Sequence, residues 1–258
     1  MKTLSLITAS YNRAHTIRDT IRSVNIQTYP RIDHIVIDGA STDGSMDILR
    51  AEAKRVSYAV SEPDKGFYDA YNKGLAQATG DVIGFINTDD FYCSPDVIAE
   101  AMAVFDDPEI EGVHADLVYV DPDDTSKVKR HWRARDFTEK DYRRGLIPAH
   151  PTVFLTRKAY ERVGGYDTSY KLAADYDFLL RAFYVHRIRA VHLPRIWVRM
   201  RTGGATGGAA ASLKRQNDEI LASRRSHGLH YPKPLFWARK IADRTMQRLR
   251  APFVNVPG

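Results

Sequence analysis

The sequence predicts an α/β fold with a mostly parallel central sheet flanked by helices. In the first 110 residues, short apolar runs alternate with segments whose apolar residues recur at helical spacing. The apolar runs are continuous, which is typical of strands buried on both faces of a parallel sheet. With 258 residues and 43% hydrophobic composition, the chain suits one large domain, or one domain with a small appendage.

The predicted elements of the first half alternate strictly. Strands are predicted over residues 4–8, 34–38, 57–62 and 82–86, with helices over 13–27, 45–54 and 67–78. Ser94 and Pro95 begin a fourth helix, because an N-cap residue followed by proline is a common helix start. The β-α-β-α order predicts a parallel sheet with helices on both faces.

After residue 105 the alternation becomes less regular. Strands are predicted over 113–120, 127–132 and 152–155, and helices over 156–163, 174–185, 212–227 and 235–250. The glycine-rich segment 203–208 is either a plain linker or a lid, near which Arg199 or Arg201 offers positive charge.

Charge, cysteine content and hydropathy limit the classes of protein. Residues 211–258 hold 10 Lys/Arg and 3 Asp/Glu, against 28 and 29 in the rest, so the net charge of +6 comes from this segment. The nearly neutral body does not indicate a nucleic-acid partner. One cysteine excludes an intramolecular disulfide and a Cys-rich zinc site. The absence of a signal-peptide pattern and of a transmembrane-length apolar window predicts a soluble, cytoplasmic protein.

Polar residues follow the four predicted strands of the first half. Ligands of open α/β sheets lie beyond the carboxyl ends of the strands, so these residues mark a site. The fourth strand ends in Asn87, Thr88, Asp89 and Asp90. Adjacent carboxylates suit Mg²⁺ or Mn²⁺ on a diphosphate, whereas the alternative is a solvated turn in which Asp90 caps a helix. P-loop and dinucleotide glycine motifs are absent from the sequence.

Six segments, taken together, resemble a known family. They are TASYNR at 8–13, VIDGASTDGS at 36–45, SEPDKGFYDAYNKGLAQATGD at 61–81, FINTDD at 85–90, GGYD at 164–167 and AADYDFLLR at 173–181. The chain resembles family 2 glycosyltransferases of the GT-A fold, of the type that builds bacterial polysaccharides and lipid-linked glycans. The resemblance predicts a catalytic domain over 1–210, with a nucleotide-sugar half at 1–110 and an acceptor half at 111–210. A basic helical extension follows at 211–258.

The resemblance also implies roles for individual residues. Asp89, with Asp90 beside it, would ligate Mn²⁺ or Mg²⁺ on the diphosphate of a nucleotide-sugar donor. Asp38 would accept a hydrogen bond from the base, typically uracil. The other donor-binding positions are Thr8, Ala9, Tyr11, Arg13, Asp64, Lys65, Gly66, Asn72, Lys73, Asn87 and Thr88. The chain has Asn87 where many relatives carry an acid, Tyr71 where many carry Arg, and Ala174 where the family has Glu.

The resemblance makes Asp175 the catalytic base of an inverting enzyme. A carboxylate near the acceptor hydroxyl takes its proton as the oxygen attacks the anomeric carbon. The alternative is that Asp175 only stabilises a helix N-terminus, and Asp177 is a candidate for either role. His150 is expected either to face the acceptor or to be a structural histidine in a proline-flanked turn.

The predicted function is transfer of a sugar from a UDP-sugar, or next a GDP-sugar, to a hydroxyl of a glycan or lipid-linked acceptor. Two alternatives remain, namely a sugar-phosphate nucleotidyltransferase and a non-catalytic nucleotide-sugar-binding protein. The last predicted helix places Leu235, Ala238, Ile241, Ala242, Thr245 and Leu249 on one stripe among basic residues. Residues 235–253 therefore either lie on an anionic membrane surface or pack on the domain with a solvated charged face.

Overall fold

The computed structural model describes residues 1–203, 210–254 and 256, and the elements below belong to this part of the chain. The strands are β1 (Leu4–Ser10), β2 (Ile32–Asp38), β3 (Val56–Ser61), β4 (Val82–Phe85), β5 (Asp90–Tyr92), β6 (Gly112–Val120), β7 (Val128–Trp132), β8 (Phe154–Thr156) and β9 (Ala190–Arg201). The helices are α1 (Ile17–Asn25), α2 (Ser45–Glu52), α3 (Phe67–Gln77), α4 (Val97–Val104), α5 (Glu139–Arg143), α6 (Arg157–Val163), α7 (Ala174–Leu180), α8 (Ala210–Ser226) and α9 (Lys233–Arg250). A π-helical turn, Arg181–Val185, extends α7, and short 3₁₀ turns span His150–Thr152 and Ala251–Phe253.

One sheet forms the centre of the molecule, in the order β3-β2-β1-β4-β8-β6-β9-β5, with β7 beside β6. The first four strands run parallel, and β6 and β9 form a second, long parallel pair. Antiparallel ladders are short and join β8 to β4 and β6, β5 to β9, and β7 to β6. The predicted α/β class with a mostly parallel sheet and helices around it is confirmed.

The strands and helices predicted over the first 110 residues are present, but β5, α5 and β9 were not predicted. The twelve-residue β9 contains Pro194, a residue that argues against a central strand. The register of β9 on β6 jumps from Ala115↔Leu193 to Asp116↔Ile196, so Pro194 lies in a bulge where no ladder hydrogen bond is needed. The predicted linker or lid at 203–208 lies outside the described residues except for Gly203.

Hydrophobic clusters cover the two faces of the sheet. One cluster packs α3, α6 and α7 against β1, β2 and β4, and the other packs α4 against β1, β4 and β6. The basic C-terminal segment contributes Ile220, Leu221, Leu229 and Phe236 to the first of these clusters. Residues 211–258 are therefore joined to the preceding residues by apolar packing.

Arg224 of α8 adds a buried polar connection to this packing. Its side chain is fully buried, and its guanidinium donates to the carbonyl oxygens of Tyr142 and Arg143 at the C-terminal end of α5, at 3.0 and 2.6 Å. It also donates to the Tyr176 hydroxyl at 3.1 Å. A cation on the unpaired carbonyls of a helix C-terminus contributes up to about 2 kcal/mol when partly buried. Arg224 thus fixes α8 against both α5 and α7.

The last helix, α9, packs on the protein through Phe236 and through several polar residues. Lys240, Asp243, Arg244 and Gln247 are only partly exposed, and α9 lies against β7. All six residues of the predicted apolar stripe are exposed, with Leu235, Ile241 and Leu249 exposed by 52%, 62% and 63%. The helix does pack on its own domain, as one alternative holds, but the side left to solvent is the apolar one.

Among the described residues, no helix is both long and apolar enough to cross a membrane.

Candidate active site

The polar residues that follow β1, β2 and β4 meet at one edge of the sheet, because these strands are parallel and in register there. Ser10 pairs with Asp38, and Ile7 pairs with Phe85, the last residue of β4. Asn87 lies two residues beyond Phe85. The Thr88 hydroxyl donates to the Ala9 carbonyl at 3.4 Å, which joins the ends of β4 and β1. The structure therefore brings together the strand-end residues predicted from the sequence.

Asp38 is fully buried at the end of β2 and is held by neighbouring donors. Its carboxylate accepts from the Ser41 amide at 2.8 Å, the Ser41 hydroxyl at 2.5 Å and the Ser61 hydroxyl at 2.6 Å. These bonds make Asp38 an organiser of the loop after β2. The base of a bound nucleotide could donate only to a lone pair of Asp38 that these three donors leave free.

Tyr11, Asp64 and Gly66 form the outer part of the predicted nucleotide pocket. A Cβ added at Gly39 would lie 2.5 Å from Asp64 Oδ2 and 3.3 Å from Tyr11 Cδ2, so both side chains lie over this glycine. Tyr11 is exposed. Asp64 Oδ1 accepts from the amide of Gly66, whose φ of +114° favours glycine. The loop is thus shaped to present Asp64 and Tyr11 side by side.

The loop after β1 is fixed by Asn12, which the sequence analysis overlooked. Asn12 has a positive φ of 50°, a conformation that asparagine tolerates better than most residues. Its amide donates to the Ser41 hydroxyl at 2.8 Å, and its Oδ1 accepts from the Thr42 amide at 2.9 Å. The Arg13 amide donates to the Ser45 hydroxyl at 2.9 Å. An asparagine directly after a strand is the signal that could have identified this residue.

Asn72, on α3, forms a two-point contact with the backbone of the GGYD segment. Its Nδ2 donates to the Tyr166 carbonyl and its Oδ1 accepts from the Tyr166 amide, both at 2.8 Å. Lys73 lies beside it and bonds Glu62 at 2.7 Å and the Pro63 carbonyl at 3.1 Å. The Lys65 amide donates to Asp69 at 3.0 Å. In this structure these predicted donor-binding residues hold the loop before α3 and join α3 to the acceptor half.

A hydrogen-bonded chain leads from α3 to the acidic end of β4. The Tyr71 hydroxyl donates to Asn87 Oδ1 at 2.5 Å, and Asn87 Nδ2 donates to Asp90 Oδ2 at 3.1 Å. Thr20 donates to the Asp90 carbonyl at 2.7 Å and to the Asn87 carbonyl at 3.2 Å. Tyr71 and Asn87, the two departures from the family pattern in this region, are thus bonded to each other.

Asp90 is fully buried, and the pKa of its carboxyl group lies well above the usual range because of burial and the neighbouring charge of Asp89. The Asn87 amide and Arg201 oppose this increase in the pKa. Asp90 Oδ1 has no hydrogen-bond partner among the described residues. A buried acceptor without a donor is unfavourable, so this atom is suited to a proton or a cation.

Arg201, at the end of β9, holds the backbone of the acidic turn. Its guanidinium donates to the Asp89 carbonyl at 3.1 Å and forms an ion pair with Asp19. It also lies over the Phe91 ring, with its carbon 5.0 Å from the centroid. Arg201 therefore positions Asp89 through its main chain, which leaves the Asp89 carboxylate free of this contact.

Asp175, the predicted base, lies in the first turn of α7. Its Oδ1 accepts from the Tyr68 hydroxyl at 2.9 Å and from the Tyr176 amide at 2.8 Å. Burial raises the pKa of Asp175 above its usual range, and the two hydrogen bonds, from Tyr68 first, reduce that increase. The residue remains partly exposed, as a proton acceptor for a substrate must be. Nothing in the sequence identified Tyr68 as its partner.

Tyr71 lies among three carboxylates. Burial raises the pKa of Tyr71 well above its usual range, and the charges of Asp175, Asp90 and Asp89 raise it further. The predicted metal ligands and the predicted base therefore belong to one site, although 85 residues separate Asp90 from Asp175 in the chain.

His150 and Asp177 have clear structural surroundings. His150 is buried, bonds the Tyr166 hydroxyl at 2.7 Å and stacks on Tyr71, and burial lowers its pKa to about 3. Asp177 is buried and bonds Arg181 at 2.8 Å, Ser223 at 2.8 Å and His227 at 3.2 Å. Because its oxygens are engaged with α7 and α8, Asp177 is not available as a base. Thr8, also buried, bonds His34 at 3.0 Å.

Asp89 and Asp90 fit a divalent metal in their chemistry. They provide hard carboxylate oxygens, and Asp90 Oδ1 is buried without a partner in the described part of the chain. No group of three or more His, Cys, Asp or Glu residues that could hold a metal is present in residues 1–203, 210–254 and 256. The remaining ligands would therefore have to come from the substrate diphosphate and from water.

Comparison with known proteins identifies the family. The sequence profile of glycosyl transferase family 2 matches residues 5–163, more than half of the chain, and the chain belongs to this family. An uncharacterized glycosyltransferase of Mycobacterium tuberculosis is 35% identical over 186 residues, which cover 71% of this chain and 70% of the relative. A PGL/p-HBAD biosynthesis glycosyltransferase of Mycobacterium bovis is 30% identical over 182 residues, 69% of each chain.

Solved structures agree with this assignment at the level of the fold. A mannosyltransferase from Pyrobaculum calidifontis in complex with GDP-Man and Mn²⁺ matches with a TM-score of 0.66 and 21% identity, over 99% of this chain and 77% of that chain. S. aureus TarS with UDP-GlcNAc matches with a TM-score of 0.63 and 16% identity, over 86% and 66%. The chain spans only 39% of a longer TarS chain. The fold is GT-A, and the protein is a glycosyltransferase, which confirms the predicted family, fold and enzyme class.

Replacing Asn87 with Asp would put a second carboxyl group against the buried Asp90. In EDTA at pH 8 we expect the free energy of unfolding to fall by about 2 kcal/mol, because two buried carboxyls then resist ionisation. A carboxyl pKa raised on folding makes stability fall as pH rises, so the loss should shrink toward pH 5. Urea unfolding measured at both pH values tests this.

Asn87→Ala is the matched control, because it removes the same amide without adding a carboxyl group. Its loss of stability should depend less on pH, because only the pKa of Asp90 then changes and no new carboxyl group titrates. Mn²⁺ should restore more stability to Asn87→Asp than to Asn87→Ala. Identical pH profiles for the two variants would contradict the described environment of Asp90.

Proposed function

We propose that the protein is an inverting, metal-dependent glycosyltransferase that uses a nucleotide-diphosphate sugar. A UDP-sugar is favoured as donor, with a GDP-sugar next, and the acceptor is a hydroxyl of a glycan or lipid-linked glycan in cell-surface polysaccharide biosynthesis. The observation that carries this proposal is that Tyr71 connects the acidic turn to Asp175. Its hydroxyl bonds Asn87, which donates to Asp90, and its ring centroid lies 6.2 Å from that of Tyr68, which donates to Asp175. This arrangement brings the two carboxylates into one site. It supplies acidic ligands and a separate carboxylate base within one cleft.

Asp175 performs the proton transfer in this proposal. An acceptor hydroxyl is a poor nucleophile until its proton is removed, and a carboxylate within hydrogen-bond reach removes it as the oxygen attacks. Burial raises the pKa of Asp175, which makes the group a stronger base than an exposed aspartate. The Tyr68 hydroxyl holds Oδ1, so Oδ2 is the atom available to the acceptor. Direct displacement by that hydroxyl inverts the anomeric centre.

Asp89 and Asp90 would hold the divalent metal, which supplies charge stabilisation to the departing diphosphate when it is bound. This chain's own contribution is to fix the turn that carries them. Thr20 and Asn87 hold Asp90, and Arg201 holds the Asp89 carbonyl. The rigid turn would keep both carboxylates oriented before substrate arrives, which lowers the reorganisation that catalysis requires. The solved neighbour with GDP-Man and Mn²⁺ supports a metal in a site of this fold.

Calorimetric titration with UDP and with GDP, each with and without Mn²⁺, tests the assignment of donor and metal. We expect Asp89→Ala to lose at least about tenfold in metal-dependent nucleotide affinity. Asp175→Asn should bind nucleotide as the wild type does but lose about 1,000-fold in kcat. Normal turnover by Asp175→Asn would remove Asp175 as the base. Unchanged Mn²⁺-dependent binding by Asp89→Ala would remove Asp89 as a ligand.

Replacing Tyr68 with Phe should move the acid limb of the pH–rate profile. The Tyr68 hydroxyl lowers the pKa of Asp175 by bonding its charged form, so its loss should raise that pKa. Because the base must be ionised, activity would then be lost at a higher pH as the solution is acidified. The measurement is kcat/KM from pH 4 to pH 8, with the partly buried Tyr170→Phe as control. An unmoved acid limb would contradict Asp175 as the titrating base.

The exposed side of α9 supports peripheral attachment to the anionic inner face of the cell membrane. Trp237, Ile241 and Leu249 follow one another at four-residue or eight-residue spacing, and all are exposed. Phe253, one turn further, is 89% exposed, and Arg248 and Arg250 are exposed beside this stripe. An apolar stripe flanked by basic residues suits the headgroup region of an anionic bilayer. Such attachment would bring the cleft to a lipid-linked acceptor.

Sedimentation with lipid vesicles tests this attachment. Binding is expected to vesicles that contain phosphatidylglycerol and to be much weaker with phosphatidylcholine alone. The double variant Ile241→Glu/Leu249→Glu should lower the vesicle partition constant at least about tenfold, since each apolar side chain contributes roughly 1 kcal/mol or more. Ile26→Glu is the matched control, because Ile26 is 59% exposed but lies outside α9. Equal partition of both variants would contradict membrane contact through α9.

A further inference from the structure

Three cations converge on the inner side of α9 without an acidic partner. They are Lys240 and Arg244 of α9 and Arg130 of β7, on which α9 packs. All three are partly buried, and none forms an ion pair within the residues that the structure describes. Cations withdrawn from water without a counter-charge are unfavourable. The arrangement therefore requires a compensating interaction.

The neighbours of these cations are neutral and aromatic. The Arg130 guanidinium lies 3.6 Å from the centroid of the Tyr119 ring, and Lys240 donates to Asn217, a fully buried residue of α8. The Lys240 ammonium is also 5.6 Å from the centroid of the Phe236 ring. These contacts orient the side chains but do not neutralise them. Arginine and lysine fixed in this way are prepared for an oxyanion.

The charges of neighbouring cations lower the pKa values of Lys240 and Arg244. Burial first, and then the charges of Arg244 and Arg130, lower the pKa of Lys240 to about 7, while the charge of Asp175 opposes this decrease. Burial and Arg130 also lower the pKa of Arg244. Lys240 is thus within electrostatic range of both Arg residues and of the proposed base.

We propose that Arg130, Lys240 and Arg244 form a phosphate-binding site where α9 packs on β7. The source of the phosphate rests on the function proposed above. Two sources share this chemistry, the diphosphate of the nucleotide donor and a phosphate of a lipid-linked acceptor. Burial first, and the charge of Asp90 after it, raise the pKa of Tyr119, whose ring lies under the Arg130 guanidinium. A phosphate bound there replaces the missing counter-charge.

The first test is calorimetric titration of the full chain with inorganic pyrophosphate in EDTA at pH 6.5 and low salt. Wild-type protein is expected to bind, and Lys240→Gln and Arg244→Gln should each weaken binding at least about tenfold. Arg225→Gln, an exposed residue of α8, removes the same charge and should change binding less than about twofold. No wild-type binding, or equal effects of all three variants, would overturn the proposal.

The variants also test that the cations repel one another in the free protein. Without phosphate, Lys240→Gln should unfold at the same temperature as the wild type or higher, because one of three crowded charges is removed. This result would separate lost binding from lost folding, and Lys240→Arg should retain pyrophosphate binding. A large destabilisation of Lys240→Gln, together with loss of binding by Lys240→Arg, would indicate a structural role and overturn the proposal.

Two further titrations identify the source of the phosphate. Weaker UDP or GDP binding by Lys240→Gln and Arg244→Gln would assign the site to the donor. Unchanged nucleotide binding with weaker binding of a short-chain isoprenyl phosphate in detergent micelles would assign it to the acceptor. A response to pyrophosphate alone would mean an adventitious ion only and would overturn the proposal. Since the pyrophosphate titration needs neither metal nor turnover, its outcome is independent of whether glycosyl transfer is found.

Discussion

Carboxyl groups buried at the carboxyl edge of the sheet determine how the site and its supporting contacts are arranged. A buried carboxyl is stable only if donors, a proton or a cation satisfy it. Asp38 is satisfied by two serines and a backbone amide, so it acts as a structural anchor. Asp90 has one amide donor and one orphan oxygen. Asp38 therefore supports the site, whereas Asp90 is available for its proposed chemistry.

The same constraint accounts for the two main departures from the family pattern. With an amide at position 87, the turn avoids a third carboxyl group beside those of Asp89 and Asp90. The amide also donates to Asp90, which an ionised acid could not do. The Asn87 amide oxygen then needs a donor, and the Tyr71 hydroxyl provides it at 2.5 Å. A tyrosine in place of arginine is neutral, so it fills this buried position without an uncompensated charge. The tyrosine at position 71 therefore compensates for the amide at position 87.

The sequence was sufficient for the first half of the fold because its signals there are local. Continuous apolar runs, helical spacing and polar strand ends gave the strands, the helices and the edge at which they meet. In the second half, β9 was missed because Pro194 lies in a bulge, and β5 has only three residues. Tyr68 was missed because its role depends on Asp175, which is 107 residues away. The family resemblance supplied Asp175 itself, which no local pattern distinguishes from a residue that caps a helix.

The last helix shows what a periodic sequence pattern does not predict. The six-residue stripe of α9 was found from the sequence, but an amphipathic pattern does not state which side meets the protein. The side that packs depends on the surface that the rest of the protein provides. Here β7 provides Arg130 above Tyr119, and α8 provides the amide of Asn217. Polar groups of α9 pack against this surface, and Phe236 is buried, while the six residues of the stripe are exposed. A basic inner side and an apolar outer side on one helix are unfavourable for an isolated protein. They become consistent if an anion occupies the proposed phosphate-binding site and a membrane covers the stripe, so one helix would serve both the reaction and its location.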